Sequence, residues 1–168
     1  MTDNNKRRII IYTDGAAIGN PGPGGYGILM LWENSSYKKS FSEGFRHTTN
    51  NRMELKAVVE ALKKIKWPGQ EVIVVTDSTY VSDAINKGWL ENWKKRDFKK
   101  VKNADLWREL VRLLDKHQVE FWWTRGHNNH PQNEFCDKLA GQAARQPVHR
   151  LKIDKPYEQL HPYKPKQV

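Results

Sequence analysis

Cysteine, acidic residues and long apolar runs are all scarce in this sequence. Cys136 is the only cysteine in 168 residues, which excludes a disulfide within the chain and a zinc cluster built from cysteines. No run of 18 apolar residues exists, so a transmembrane helix is not expected. The N-terminal stretch MTDNNKRR lacks the apolar core of a secretion signal. These absences predict a cytoplasmic protein without a membrane partner.

The chain does have enough apolar material for one core, and it has a large excess of positive charge. Its 38% hydrophobic content and seven Trp are typical of a single globular domain, which we expect to be a monomer. The 29 Lys and Arg outnumber the 19 Asp and Glu, so the formal net charge is +10. Such a charge favours a polyanionic partner, either nucleic acid or an anionic membrane surface, and does not choose between them.

Hydrophobic periodicity predicts five strands and about five helices. The Gly- and Pro-rich segment Gly19–Gly27 is predicted to be a loop that leads into the second strand. The predicted strands cover 7–13, Ile28–Trp32, Tyr37–Phe45, Val72–Thr76 and Val119–Thr124. The predicted helices cover 50–65, Ser78–Lys87, a segment capped by Asn103, and Pro131–Arg145.

The order of these elements predicts an α/β fold. Strand, helix and strand at 9–13, 50–65 and 72–76 imply a parallel pair joined by a right-handed crossover. The first three strands form an antiparallel meander, so we expect a five-stranded mixed sheet with helices on both faces. Residues 1–146 make up this domain. The remaining 147–168 contain four prolines and no sustained period, which predicts a loosely ordered tail or, alternatively, a docking or nucleic-acid-binding arm.

Two β-branched strands end on an aspartate, IIIYTD at Asp14 and VIVVTD at Asp77. If these strands are parallel neighbours, about 4.8 Å apart, both carboxylates leave the same edge of the sheet. Two carboxylates about 5 Å apart repel by roughly 3 kcal/mol at an effective dielectric constant near 20, so a proton or a cation must lie between them.

Two further acids can join this pair. Glu54 lies in the first turn of the intervening helix, on the face shared with Val58 and Ala61, so it is directed toward the sheet. A helix-dipole role is the alternative for Glu54, and an exposed helix surface is the alternative for Asp137 in the last helix.

A cluster of carboxylates selects a hard cation, Mg²⁺ or Mn²⁺. In a basic protein, such a cluster indicates phosphoryl chemistry by two metal ions, one activating a water and the other stabilising the leaving 3′ oxygen. A zinc site formed by His127, His130 and Cys136 is an alternative metal site.

Six motifs in this order resemble the bacterial type 1 ribonuclease H family, and the resemblance runs from about Arg7 to Gln146. They are DGAAIGNPGPGGYG, TTNNRMEL, VTDS, NWKKR, VKNADLW and RGHNNHPQNEFCDKLA. The resemblance implies a ribonuclease H-like fold. It also implies Mg²⁺-dependent endonucleolytic cleavage of the RNA strand in RNA/DNA hybrids, leaving 3′-hydroxyl and 5′-phosphate ends.

The same resemblance assigns roles to individual residues. It implies that four acids bind the metals and take part in catalysis: Asp14, Glu54, Asp77 and Asp137. His127 would transfer a proton during leaving-group departure or product release, and Glu134 would lie near the metals. The RNA strand would be contacted by Asn20, Asn50 and Asn51, whose short amides suit the 2′-hydroxyl; helix capping is the alternative for Asn50 and Asn51.

For the DNA strand, the resemblance implies a phosphate held by Thr49 and Asn103. His47 stands where the family frequently has Arg, with Arg46 adjacent, so the strength of phosphate binding can differ from the family pattern. Thr79 replaces a common Gln, so one contact with a base edge can also differ. The segment 87–102 holds seven Lys and Arg against two acids and resembles the family's basic protrusion. Its candidate DNA contacts are Trp89, Trp93, Lys94, Lys95 and Arg96. Alternatively its aromatics, Trp89 in particular, anchor the segment to the body.

Three other functions are compatible with parts of the sequence. One is a hybrid-binding module without catalysis, and another is a DNA nuclease or strand-transfer enzyme on the same fold. The third is a structural or membrane-surface protein, which would leave the four acids unexplained.

Overall fold

The computed structural model describes residues 7–126 and 130–166 and contains the expected mixed sheet. The five strands are β1 (Ile9–Ala17), β2 (Gly22–Trp32), β3 (Lys38–Thr48), β4 (Glu71–Thr76) and β5 (Gln118–Trp123). The helices are α1 (Asn50–Lys63), α2 (Thr79–Asn86), α3 (Trp89–Lys95), α4 (Ala104–Leu114), α5 (Pro131–Ala144) and α6 (Lys155–Leu160), with a 3₁₀ turn at Val148–Arg150. Within these described ranges, no helix is both long enough and apolar enough to cross a membrane.

The strand order is β3-β2-β1-β4-β5. Strands β1, β2 and β3 pair antiparallel, whereas β4 pairs parallel with both β1 and β5, which confirms the predicted meander and crossover. Neighbouring glycines of β2 identify the two faces, because a Cβ on Gly24 would meet Met53 of α1 and a Cβ on Gly25 would meet Ala140 of α5. Helices therefore cover both faces of the sheet, as predicted.

Helix α1 forms where the sequence changes from a strand period to a helical one. The Thr49 side chain caps it by accepting a hydrogen bond of 3.2 Å from the backbone N–H of Arg52. Its apolar stripe, including Leu55, Val58 and Leu62, is fully buried against the sheet. Burial of this stripe fixes the rotation of the helix and hence the direction in which its polar first turn points.

The prediction of a loop over Gly19–Gly27 was wrong for most of that segment, because β2 begins at Gly22. Glycine weakens isolated strands, but here its missing side chain lets α5 lie close to the sheet. A Cβ on Gly27 would lie 2.3 Å from the backbone oxygen of Cys136 and 2.8 Å from Cβ of Leu139. The close packing of a helix more than 100 residues away therefore explains this glycine-rich strand.

Replacing Gly27 with Ala is expected to destabilise the protein by about 2–4 kcal/mol, because the clash is with helix backbone that cannot rotate away. The matched control is Gly141→Ala on α5, where the nearest atom to the new Cβ is the flexible end of Arg145 at 3.0 Å. That variant should gain up to about 1 kcal/mol from helix propensity. Urea unfolding measures both, and equal stability of the two variants would contradict the close helix–sheet packing.

The C-terminal segment packs against the domain within 147–166, whereas the sequence predicts a loosely ordered tail there. Lys152 forms a parallel β-bridge with Phe45 of β3. Tyr157 of α6 is buried, with 9% of its surface exposed. Asp154 is 3% exposed and accepts hydrogen bonds from Arg52. Single buried anchors and ion pairs hold this segment, and neither leaves a periodic signal in the sequence.

Candidate active site

The aspartates Asp14 and Asp77 meet where the parallel β1–β4 ladder ends. The last pair of that ladder is Thr13 and Thr76, so the next residues, Asp14 and Asp77, lie side by side, although β1 itself continues to Ala17 beside β2. Glu54 of α1 completes the group, and one oxygen from each of these three acids lies within 4.8 Å of the others. The structure therefore brings together three of the four acids predicted to form a metal site.

Close packing at Gly15 brings Glu54 to this edge. A Cβ on Gly15 would lie 2.4 Å from the backbone nitrogen of Glu54, so only glycine lets the first turn of α1 reach β1 here. The Gly15 N–H also donates a hydrogen bond of 2.9 Å to Oδ1 of Asp14. Asp77 is approached from the other side by Gly126, where a Cβ would lie 2.8 Å from Oδ2.

The acid trio is electrostatically costly without a cation. Burial, followed by the charge of Asp77, raises the pKa of Asp14 to about 8. Burial, followed by the charges of Asp14 and Asp77, raises the pKa of Glu54 well above its usual range. Near neutral pH the trio therefore retains protons that a bound divalent cation would displace.

The donor set fits a hard divalent cation. The trio and Asp137 line an open cavity of about 350 Å³. Oε2 of Glu54 is buried and has no hydrogen-bond partner among the residues the structure describes. An inward-facing carboxylate oxygen of this kind is a suitable ligand for Mg²⁺ or Mn²⁺, which prefer oxygen.

Asp137 lies on α5 at the same cavity but outside the tight trio. Its charge contributes to the raised pKa of Asp14, whereas its oxygens are not within 4.8 Å of all the others. The neighbouring Cys136 is fully buried, its Sγ donates to the backbone oxygen of Tyr12, and burial raises its pKa to about 12. This neutral thiol is poorly suited to the alternative zinc site.

The other two catalytic candidates are His127 and Glu134. His127 lies outside the described residues. His130 precedes α5 and packs against the ring of Tyr12, with a centroid distance of 5.8 Å. Glu134 lies exposed in the first turn of α5.

The three asparagines predicted to contact RNA form one exposed group beside the acids. Asn20 accepts a hydrogen bond of 3.0 Å from the backbone N–H of Asn50 through Oδ1, and Asn50 accepts one from Ala17 N–H. Asn50 and Asn51 line the same cavity as the acid trio. Since Thr49 caps α1, the side chain of Asn50 links the start of α1 to the end of β1 instead of capping the helix.

The predicted DNA-phosphate residues Thr49 and Asn103 line a second cavity of about 730 Å³. Asn103 does not cap α4 with its side chain, contrary to the prediction. Its backbone is left-handed, with φ at 58°, its Oδ1 accepts from Arg52, and its Nδ2 donates to the hydroxyl of Tyr80. Asn103 is thus held in place by two neighbours, and the amide keeps a second N–H.

His47, which stands where the family frequently has Arg, and the adjacent Arg46 contact the C-terminal segment. Arg46 forms an ion pair of 2.8 Å with Glu158, and its guanidinium lies 4.2 Å from the ring centre of Tyr163. The imidazole of His47 packs between the rings of Tyr157 and Tyr163. Thr79 lies at the acid cavity, at the start of α2.

Two aromatics of the basic segment 87–102 anchor it to the body, as the alternative interpretation of this segment predicts. Trp93 packs edge-on against the buried Trp107, with ring centres 5.1 Å apart, and Phe98 is 7% exposed. Trp89 is 42% exposed, so it is only partly buried against the body. Lys94, Lys95 and Arg96 lie on the exposed surface between these anchors.

Two residues near the site were not found from the sequence. Arg52 is 2% exposed and joins α1 to both Asp105 and Asp154. The Tyr80 hydroxyl accepts hydrogen bonds of 3.0 Å from Asn103 and from Trp107. An Arg at the start of an amphipathic helix is usually solvated, and no local signal distinguishes this one.

Comparison with known proteins gives a consistent family. The profile described as RNase H matches residues 6–145. A ribonuclease H from Sulfurovum sp. is 50% identical over 140 residues, covering 83% of this chain and 92% of the relative. A ribonuclease HI from Vibrio cholerae serotype O1 is 49% identical over 147 residues, covering 84% of this chain and 92% of the relative.

Solved structures agree in fold. LC9-RNase H1, described as a type 1 RNase H with the type 2 active-site motif, is 32% identical with a TM-score of 0.76, covering 96% of this chain and 84% of that one. LC11-RNase H1, solved in complex with an RNA/DNA hybrid, is 25% identical with a TM-score of 0.64, covering 82% of this chain and 96% of that one. With the six motifs, the sheet order and the profile in agreement, the chain belongs to the RNase H family, in its bacterial type 1 branch.

Proposed function

We propose that this ribonuclease H hydrolyses the RNA strand of RNA/DNA hybrids as an endonuclease, leaving 3′-hydroxyl and 5′-phosphate ends. The observation that carries the proposal is the buried trio Asp14, Glu54 and Asp77 at the carboxyl edge of β1 and β4. The relative solved with an RNA/DNA hybrid supports the choice of substrate.

Asp14, Glu54, Asp77 and Asp137 would hold Mg²⁺, or Mn²⁺ in its place. A pair of divalent ions held there would supply an activated water and would neutralise charge on the leaving 3′ oxygen. The chain's own acids position that chemistry: Asp14 and Glu54 are fixed by the close contact at Gly15, while Asp137 faces them from α5. His127 would move a proton near the leaving group, and Glu134 would act close by, two roles that rest on the family resemblance.

The two strands would be read by different side chains. Asn50 and Asn51 lie exposed in the cavity of the acids, and Asn20 is hydrogen-bonded to the backbone N–H of Asn50. The carbonyl and the NH₂ of such an amide can accept from and donate to a 2′-hydroxyl of the RNA strand. Thr49 and Asn103 would hold one DNA phosphate, with His47 nearby in place of a family Arg. The DNA backbone would continue along Trp89, Trp93, Lys94, Lys95 and Arg96.

The test is a substrate panel with the full chain. RNA/DNA hybrid, RNA/RNA, DNA/DNA and single-stranded RNA are incubated with Mg²⁺ or with chelator, and products are sized and end-labelled. Only the hybrid with Mg²⁺ should yield RNA fragments with 3′-hydroxyl ends. Binding without cleavage would favour a catalytically inactive module, cleavage of DNA/DNA at the hybrid rate would favour a DNA nuclease, and cleavage of single-stranded RNA in chelator would overturn the proposal.

Hybrid affinity is expected to fall steeply with salt. If about five phosphates are neutralised, log K falls against log[salt] with a slope of about −4 to −5. Changing Lys94, Lys95 and Arg96 together to Gln should make this slope shallower by about 2 to 3.

A control with the same loss of charge tests whether location matters. Lys39, Lys64 and Lys66 line a cavity with Ile9, at the end of β1 opposite Asp14. Changing these three to Gln should leave the salt slope within about one unit of the parent. Equal slope changes in the two triple variants would contradict a DNA contact at the basic segment.

The proposal also takes the protein to act as a monomer in a reducing, cytoplasmic compartment. The four acids come from one chain, and the free thiol of Cys136 is buried, which is compatible with a protein that uses no disulfide. Light scattering during hybrid cleavage tests the first part of this statement.

A further inference from the structure

The C-terminal segment forms one wall of the cavity that contains the candidate DNA-phosphate residues. Thr49 and Asn103 line it from the body, and Lys100 and Lys102 line it from the basic segment. The opposite wall consists of α6 and the residue after it: Pro156, Tyr157, Gln159, Leu160 and His161. At about 730 Å³, the cavity is larger than the phosphate contact at Thr49 and Asn103 requires.

Buried hydrogen bonds hold this wall in place relative to Asn103, one of the two candidate phosphate residues. Arg52 donates to Asp154 through Nε at 2.5 Å and to Asp105 through Nη2 at 2.6 Å. The same guanidinium lies 3.3 Å from Oδ1 of Asn103. One buried cation therefore sets the distance between α6, the start of α4 and Asn103.

The charges of the cavity favour an anion. Lys100 and Lys102 line it as cations, whereas the third cation of its lining, Arg52, is already paired with Asp105 and Asp154. The other nearby acid of α6, Glu158, bonds Arg46 outside the cavity. His161 and Gln159 add hydrogen-bond donors on the tail side.

The tail wall also carries an apolar group suited to a deoxyribose. Leu160 is 78% exposed at the cavity. A leucine side chain can contact the unsubstituted C2′ of deoxyribose, whereas a 2′-hydroxyl at that place would lose water without gaining a partner. The DNA strand, which Thr49 and Asn103 already address, is therefore the better occupant.

We infer that the C-terminal segment is part of the hybrid-binding surface, and that its α6 wall contacts the DNA-strand phosphate adjacent to the one held by Thr49 and Asn103. This inference rests on the proposed function and extends it to a segment beyond the matched family region. The tail thereby lengthens the DNA track that begins at the basic segment.

Two substitutions on α6 separate a contact in the cavity from a general effect of charge. Gln159→Glu adds one negative charge inside the cavity, and Lys155→Glu changes the charge by two on the same helix, at an exposed residue that does not line it. Hybrid affinity is measured by fluorescence anisotropy in chelator, with the full chain and unfolding curves for each variant. Gln159→Glu should weaken binding about five-fold and Lys155→Glu less than two-fold.

A hybrid whose DNA phosphates are neutral methylphosphonates on the tail side identifies the strand. On this duplex the difference between the parent and Gln159→Glu should disappear. The inference is overturned if Lys155→Glu weakens binding more than Gln159→Glu, or if the penalty persists on the neutral duplex. A parent protein that cleaves hybrids while Gln159→Glu binds like the parent overturns the inference and leaves the proposed function intact, whereas a parent that cleaves no hybrid overturns both.

Discussion

The Asp14→Asn variant is expected to lose hybrid cleavage by at least about a thousand-fold while remaining folded. Asp14 is 5% exposed and lies at the centre of the acid trio, so its carboxylate is the most constrained candidate ligand. An amide of the same shape keeps the packing but removes the charge that binds a divalent ion, and several kcal/mol of transition-state stabilisation are lost with it. Single-turnover cleavage of a labelled hybrid measures the loss.

The same substitution is expected to stabilise the protein in chelator. In the folded state burial and Asp77 raise the pKa of Asp14 to about 8, against an ordinary value near 4. The folded state therefore binds more protons than the unfolded state between these values, so stability falls as pH rises from about 4 toward 8. Removing the charge should raise the free energy of unfolding by about 1–3 kcal/mol at pH 7.5 and by much less at pH 4.5.

Two controls complete this prediction. Asp115→Asn, at an exposed position after α4, removes an equal charge and should change neither cleavage nor the pH dependence of stability. Addition of Mg²⁺ should raise the melting temperature of the parent more than that of Asp14→Asn, because a ligand that binds only the folded state stabilises it. Full cleavage by Asp14→Asn, or its unfolding at neutral pH, would contradict the assignment of Asp14.

The sequence predicts the acid edge well because each of its determinants is local. The two β-branched runs that end on Thr-Asp mark where the parallel β1–β4 ladder stops, and helical spacing indicates which face Glu54 shares. Parallel pairing of β1 and β4 then follows from the length of the crossover, and it places Asp14 beside Asp77. No contact between distant segments has to be guessed.

The features that the sequence did not reveal depend on distant partners. Gly27 lies in a strand because α5, more than 100 residues later, approaches its bare Cα. The segment around Asp154 is ordered because Arg52, 102 residues earlier, bonds it. Asparagine is a common N-cap residue, but the side chain of Asn103 forms hydrogen bonds with Arg52 and Tyr80 and none with the first turn of α4. Periodicity and composition describe neighbours in the chain, so they cannot report such pairs.

The Arg52→Met variant is expected to be about 3–5 kcal/mol less stable than the parent. Its guanidinium bonds two acids, and the side chains of Arg52 and Asp154 are 3% and 2% exposed. Methionine fills similar space but leaves Asp154 buried without its cation. A buried charge that has lost its partner destabilises the folded state strongly. Thermal and urea unfolding measure the loss. Arg8→Met is the control, because the side chains of its ion pair with Glu33 are 41% and 28% exposed and solvent screens the interaction, so this variant should lose far less stability.

The pH dependence distinguishes a lost ion pair from a packing defect. Burial alone would raise the pKa of Asp105, but its hydrogen bond and charge interaction with Arg52 outweigh that and lower it. Stability from this pair is therefore present above the unfolded pKa of about 4 and is lost as pH falls through the lowered folded value. The difference between the parent and Arg52→Met should shrink toward pH 3, whereas a defect of packing would persist. If Arg52→Met were instead as stable as Arg8→Met at neutral pH, the C-terminal segment would not depend on this cation, and the wall that it forms beside Asn103 would lose its physical basis.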